Sequence, residues 1–259
     1  MDLQLRDKVV LVTGGSDGLG AAAVLRLAQE GARVAFCGRS AEKLERTRAA
    51  VAAAGGEALA VRADVTQAAE CERFVAEALR AYGRIDALVN NAGTAAGRAF
   101  ESIDDAAWAA DLELKLMAAV RLGRGVLPHL RAAGGGSILN VLAISAKAPG
   151  ARSAPSSVSR AAGLALTKAL SKELGPDGVR VNAVLIGLVE SGQWRRRAEA
   201  SGQPPEAVYA QLARDHAIPL GRVGRSEEFA DLVAFLVSPR AAYLSGTAIN
   251  LDGGLSSAV

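Results

Sequence analysis

The most restrictive feature of this chain is a strict alternation of two kinds of segment. Short β-branched runs, KVVLVTGG, RVAFCG, ALAVRAD, IDALVNNAG, SILNVLA, RVNAVLIG and TAINLDGG, alternate with longer Ala/Leu/Arg/Glu segments of helical period. The short runs are apolar and bounded by Gly, Asn or Asp, as strands buried on both faces must be. Parallel neighbours need long crossovers, so the alternation predicts an α/β fold: a parallel, doubly wound sheet of seven strands with helices on both faces. Helices are expected over Leu19–Glu30, Ala41–Ala54, Gln67–Ala81, Asp104–Arg131, Ser156–Leu174 and Ser226–Val237. Gly31, Gly55 and Gly175 fall where C-caps are expected, and Glu42 with Arg46 forms an i,i+4 pair on an exposed face. With 259 residues and no repeat or low-complexity linker, the whole chain, 1–259, reads as one domain. Its rhythm breaks once. From Leu188 to about Leu220 a polar insertion lengthens the crossover to the last strand. That is a lid over the ligand edge or, alternatively, a packing surface between subunits; the lid is preferred.

Composition narrows the function. Half the residues are apolar, enough for a core without metal or disulfide staples, and the two cysteines, Cys37 and Cys71, lack metal-ligand spacing. Free thiols fit a reducing compartment. The start, MDLQLRDKVVLVTGG, has no signal-peptide pattern, and no stretch approaches the roughly 18 apolar residues of a membrane span. A net charge of +3 is too small and dispersed to imply nucleic acid. The one dense basic run, Trp194 to Arg197, reads as a solvated helix face before it reads as an acidic-ligand patch.

The first strand runs into Thr13-Gly14-Gly15-Ser16-Asp17-Gly18-Leu19-Gly20 and then a helix. Glycines permit a sharp turn and close approach to a pyrophosphate, and the open amides of the helix start bind its charge. Context makes this a dinucleotide site rather than a plain turn, with Gly14, Ser16, Asp17, Gly18, Leu19 and Gly20 as its residues. The next strand ends in Arg39-Ser40. An acid there would favour NAD, whereas an arginine receives a 2′-phosphate; Arg39 with the Ser40 hydroxyl points to NADP(H) over NAD(H). Asp17 counts against it by adding negative charge at that end. Asp64 and Val65 close the third strand, and Asn90, Asn91, Ala92 and Gly93 close the fourth, where adenine and ribose would rest. Asp64 alternatively caps the next helix, and Asn90 ties neighbouring strands.

With TGGSDGLG, ADVT, NNAG, the SILN strand and SGTAINLDGG in place, the chain resembles the short-chain dehydrogenase/reductase family over nearly its whole length. The resemblance implies a Rossmann domain, a bound NAD(P)(H), a small-molecule carbonyl or alcohol substrate, a cytoplasmic location and a homo-oligomer, dimer or tetramer. From cysteine spacing, charge and hydropathy, no metal, nucleic-acid or membrane partner is expected. The resemblance also implies four reacting residues, an Asn, a Ser, and a Tyr and Lys four apart on one helix face. This sequence departs from all four. Lys115 stands where the Asn is expected, Ala143 where the Ser is expected with Ser145 two residues on, and Ser156 and Arg160 replace Tyr and Lys. None of Tyr82, Tyr209 and Tyr243 precedes a lysine by four.

A serine is shorter and a much weaker acid than a phenol, and arginine cannot pass protons, though it still donates to ribose hydroxyls. Lys115 and Lys147 are the candidate proton donors, with Lys115 preferred; Ser145, Ser153 and Ser156 are candidates to orient a substrate oxygen, unless they only cap the helix. Tyr209 folds over the pocket or packs in the lid. Ile186 replaces the proline of the family's Pro-Gly turn, leaving Gly187, Val189 and Ser191 as nicotinamide neighbours. His129 and His216 are read as non-catalytic. The expected activity is therefore hydride transfer by an atypical site, the alternative a cofactor-binding pseudoenzyme or scaffold, and a third possibility non-redox lysine chemistry in the same pocket.

Overall fold

A computed structural model describes residues 1–192 and 202–259. Seven parallel strands form one sheet in the order β3-β2-β1-β4-β5-β6-β7: β1 Val9–Thr13, β2 Arg33–Gly38, β3 Glu57–Arg62, β4 Ala87–Asn90, β5 Gly136–Ala143, β6 Val179–Ile186 and β7 Ala248–Leu251. All seven expected strands are present. Successive side chains point to opposite faces, so each central strand feeds two cores. Val10 and Val12 pack with Val24 and Leu27 of α1 (Gly18–Gln29), Leu44 and Val51 of α2 (Ala41–Ala53), and Phe229 and Val233 near the C-terminus. Val9 and Leu11 pack with Phe74 and Ala78 of α3 (Ala68–Tyr82) and with Leu122 and Val126 of α5 (Ala118–Ala132). The strand order reverses direction between β1 and β4, and the carboxyl ends of the strands there open a crevice.

The helix expected over 104–131 is interrupted. Asp104 caps α4 (Asp105–Leu112) by accepting from Ala107 N at 2.8 Å, and a π-turn over Glu113–Met117 separates α4 from α5. A π-turn inserts one residue into the helical register, and periodicity of apolar residues does not reveal it. Downstream lie α6 (Ser156–Glu173), α7 (Pro205–Asp215) and α8 (Ser226–Val237). Gly31 and Gly55 follow α1 and α2 with φ of 82° and 78°, as C-cap glycines do. Gly175 instead begins a 3-10 turn, and the left-handed stop is Gly178 at φ 72°. The expected Glu42–Arg46 pair is replaced: Arg46 turns to Asp17 at 3.9 Å, while Arg48 pairs with Glu45. No helix among the described residues is long and apolar enough to cross a membrane.

Candidate active site

A cleft of about 640 Å³ runs along the carboxyl edge of the sheet, from the glycine loop to the start of α6. At one end it is built from backbone. Gly14 and Gly18 have φ of 64° and 50°, a region side chains rarely adopt. A Cβ on Gly20 would lie 2.1 Å from the Gly14 carbonyl oxygen and 2.5 Å from Asn91 Nδ2. Asn91 in turn fastens the loop by donating from Nδ2 to Thr13 O at 2.9 Å and from its amide to Thr13 Oγ1 at 2.9 Å. Ser16, Asp17, Gly18, Leu19 and Gly20 all line the cleft, so the positive end of α1 opens onto it. This loop, whose glycines are required by their φ or by neighbours that leave no room for a Cβ, holds the open start of α1 at the cleft and fits a pyrophosphate.

The expected nucleotide residues come together here, with some changes of role. Gly14, Arg39, Asp64, Val65, Asn91, Ala92, Gly93, Gly187 and Val189 line the same cleft. Ser40 does not; its hydroxyl accepts from Lys43 N at 3.3 Å and caps α2. Asp17 caps α1 and is paired with Lys43 at 2.5 Å, so its charge does not stand alone against an anionic ligand. Arg39 is exposed at the cleft and its guanidinium makes no hydrogen bond or ion pair among the described residues. Asp64 is not a helix cap: its Oδ1 accepts from Thr66 N and Thr66 Oγ1, shaping the turn before α3. Asn90 ties strands as expected, donating to Asn140 Oδ1 at 2.9 Å, and Asn140 donates to Thr167. Cys37 also lines the cleft, but burial pushes its thiol up to about 12, so it remains protonated and inert at neutral pH.

The other end is built from side chains. Ser145, Ser153, Ser156 and Arg160 line it. Ser156 opens α6 but is no cap, for no side-chain capping bond forms there. Its Oγ accepts from Ala96 N at 3.0 Å and from Lys115 Nζ at 2.7 Å. A hydroxyl has two acceptor sites and one hydrogen, so with both sites filled the Ser156 hydrogen is free to donate. Lys115, 8 % exposed, does not reach the cleft itself but stands behind Ser156. Its ammonium is also bonded to Asp111, one turn earlier, whose other oxygen accepts from Ser159 Oγ at 2.6 Å. Burial lowers the Lys115 pKa from its ordinary value; the Asp111 bond opposes this and the Arg160 charge adds to it. Arg160 donates to Val141 O at 2.9 Å and its pKa is likewise lowered by burial.

Asp111 and Ser159 were not legible as site residues, since only the fold brings α4 against α6. The signal available was the i,i+4 spacing of Asp111 and Lys115. Lys147 is directed elsewhere, donating to Ala248 O and Asn250 Oδ1 beside β7. Tyr209 packs with Val208, Leu212 and Leu188 and does not line the cleft. The basic run Trp194–Arg197 and part of the 188–220 insertion lie outside the described residues, and Leu188 to Gly192 border the cleft. No metal-ligand cluster occurs among the described residues.

The family model described as enoyl-(acyl carrier protein) reductase matches residues 14–256. The short-chain reductase protein NovJ of Streptomyces niveus is 35% identical over 249 residues, 96% of this chain and 94% of its own. The chain belongs to the short-chain dehydrogenase/reductase family. It is an oxidoreductase of that type. Human dehydrogenase/reductase SDR family member 4 is 35% identical, covering 98% of this chain and 89% of its own. Among solved structures, the NADPH-bound short-chain oxidoreductase of Pseudomonas aeruginosa PAO1, described as containing an atypical catalytic center, is 40% identical. The two match with a TM-score of 0.92 over 97% of this chain and 98% of that one. L-sorbose reductase from Gluconobacter frateurii, solved with NADPH and L-sorbose, is 33% identical with a TM-score of 0.93 over the full length of both.

Proposed function

We propose that this oxidoreductase is NADP(H)-dependent and reduces a small carbonyl substrate, or oxidises the matching alcohol, with an atypical proton donor. The observation that carries the reading is the 2.7 Å contact from Lys115 Nζ to Ser156 Oγ at the cleft wall. When bound, a reduced nicotinamide supplies the hydride. This chain supplies the proton: Ser156 passes its hydroxyl hydrogen to the substrate oxygen while the Lys115 ammonium replaces it. The carbonyl gains a hydride and a proton, two electrons and two protons in all, and Lys115 is left neutral until solvent reprotonates it. The pair thus does what a phenol and lysine do in ordinary members, with the lysine supplied from the α4–α5 junction instead of α6. Arg160, at the usual lysine position, keeps a permanent charge and donates to ribose hydroxyls. Arg39 receives the 2′-phosphate, which is the support for NADP over NAD. The 188–220 insertion acts as the substrate lid, and assembly into a dimer or tetramer in the cytoplasm belongs to the same reading.

A second reading is a cofactor-binding scaffold without turnover, favoured by the absence of any phenol from the cleft lining among the described residues. Titration of the purified chain with NADPH and NADH, followed by a carbonyl and alcohol turnover screen, separates the two. Tighter NADPH than NADH binding with turnover is expected. NADPH binding without turnover of any tested substrate sinks the redox reading for those substrates, and a Lys115→Ala variant with full activity removes Lys115 from the proton path.

A further inference from the structure

We infer that Asp111 is a positioning residue of this site: its buried carboxylate holds Lys115 as an ammonium and aims it at Ser156. This rests on the proton path proposed above and adds a residue to it. Asp111 is 5 % exposed, and both of its oxygens are engaged, one by Lys115 Nζ and the other by Ser159 Oγ at 2.6 Å. A carboxylate buried this deeply is tolerated when paired and hydrogen-bonded on both oxygens. Ser159 belongs to α6, three residues after Ser156, so one carboxylate clamps the lysine to the helix that carries the hydroxyl. The π-turn over Glu113–Met117 contains Lys115 and sits between Asp111 and α5, where the altered register lets the lysine side chain face α6.

The charges around Lys115 explain why a clamp is needed. Among the described residues, those facing it are Asp111 from α4 and Arg160 from α6. The strands that border the adjoining small void, β1, β4 and β5, present uncharged Thr13, Asn90 and Asn140. Burial and the Arg160 charge both favour the neutral amine, and among the described residues Asp111 is the carboxylate opposing them. A neutral amine would compete for the Ser156 hydrogen instead of replacing it. Asp111 therefore decides the direction in which the Lys115–Ser156 hydrogen bond runs.

The test is nuclear magnetic resonance titration of Lys115 in the full, lysine-labelled chain without cofactor, the signal being assigned with Lys115→Arg. In Asp111→Asn the Lys115 midpoint is expected to fall by about 1–3 pH units, and in a parallel assay the high-pH limb of reductive turnover is expected to fall with it. An unmoved midpoint overturns the inference, whatever turnover does. A moved midpoint with an unmoved rate profile overturns the proton path and leaves the hold of Asp111 on Lys115 standing. Asp111→Glu keeps the charge and changes its reach by one methylene. Here kcat is expected to fall at least about tenfold with unchanged NADPH affinity and a near-native Lys115 midpoint. This variant also carries the test where Asp111→Asn does not fold: wild-type kcat in Asp111→Glu overturns the aiming role.

Discussion

The two ends of the cleft are made differently. The nucleotide end is a backbone construction: four glycines from Gly14 to Gly20, one asparagine amide and the start of a helix. The other end is a side-chain construction in which Asp111, Lys115, Ser156, Ser159 and Arg160 reach across from α4, the π-turn and α6. A backbone cradle tolerates few sequences, because each glycine is required by its φ or by a neighbour that leaves no room for Cβ. A side-chain cluster can be rebuilt from other residue types as long as charge and hydrogen bonds balance. On the reading proposed above, the first end keeps the family's pattern and the second departs from it.

Substitutions that affect one end and spare the other test the contrast. The largest effect is expected from Ser156→Ala: turnover falls by about 10²–10⁴ while NADPH affinity, read by fluorescence titration, stays at the wild-type value. Equal loss of both would show that the two ends are not separable. Gly20→Ala should do the reverse, because its Cβ meets the Gly14 carbonyl at 2.1 Å. Overpacking of this kind costs about 1–3 kcal/mol, seen as a lower denaturation midpoint, and NADPH affinity should fall by about 100-fold, equivalent to ~2.7 kcal/mol.

Arg39→Ala sharpens the nucleotide end further. NADPH binding should weaken about tenfold, the ~1.5 kcal/mol of one charge-assisted hydrogen bond, with NADH binding unchanged; equal weakening of both would remove Arg39 from phosphate recognition. The smallest effect is expected away from both ends. Glu228 is held down to about 2 by the Arg222 guanidinium and by the Arg225 amide at the start of α8. Its folded-state pKa lies below the ordinary value of 4.5, so its stabilisation is present above that pH and is lost as pH falls toward 2. Glu228→Gln should cost about 1 kcal/mol at neutral pH, measured by denaturant unfolding. The difference from wild type should vanish near pH 2, with cofactor affinity and turnover unaltered at pH 7.

Much of the frame was readable from residues alone. Seven short apolar runs and their helical partners follow from local periodicity, and TGGSDGLG between a strand and a helix follows from what a phosphate-binding turn demands of its backbone. Harder to read were features whose cause is distant in the chain. Ser40 looked like a phosphate ligand and is a helix cap, because the nearest orphan amide, at Lys43, claims it. Lys147 looked like a second donor and is claimed by β7, about a hundred residues away in sequence. Asp111 carried no signal beyond its spacing from Lys115.

By itself the sequence determined the strand order of events along the chain, the two-faced core and the glycine cradle, since these depend on each residue's own conformational range and on neighbours within a few turns. Only the tertiary structure decided that Lys115 points at Ser156, that Asp111 and Ser159 hold it there, and that the charge of Asp17 is met by Lys43. Apart from the Asp111–Lys115 pair, one turn apart, those contacts join segments 26 to 48 residues apart. Their partners are chosen by burial and electrostatics once α4 and α6 are packed on the sheet, and no local pattern encodes them.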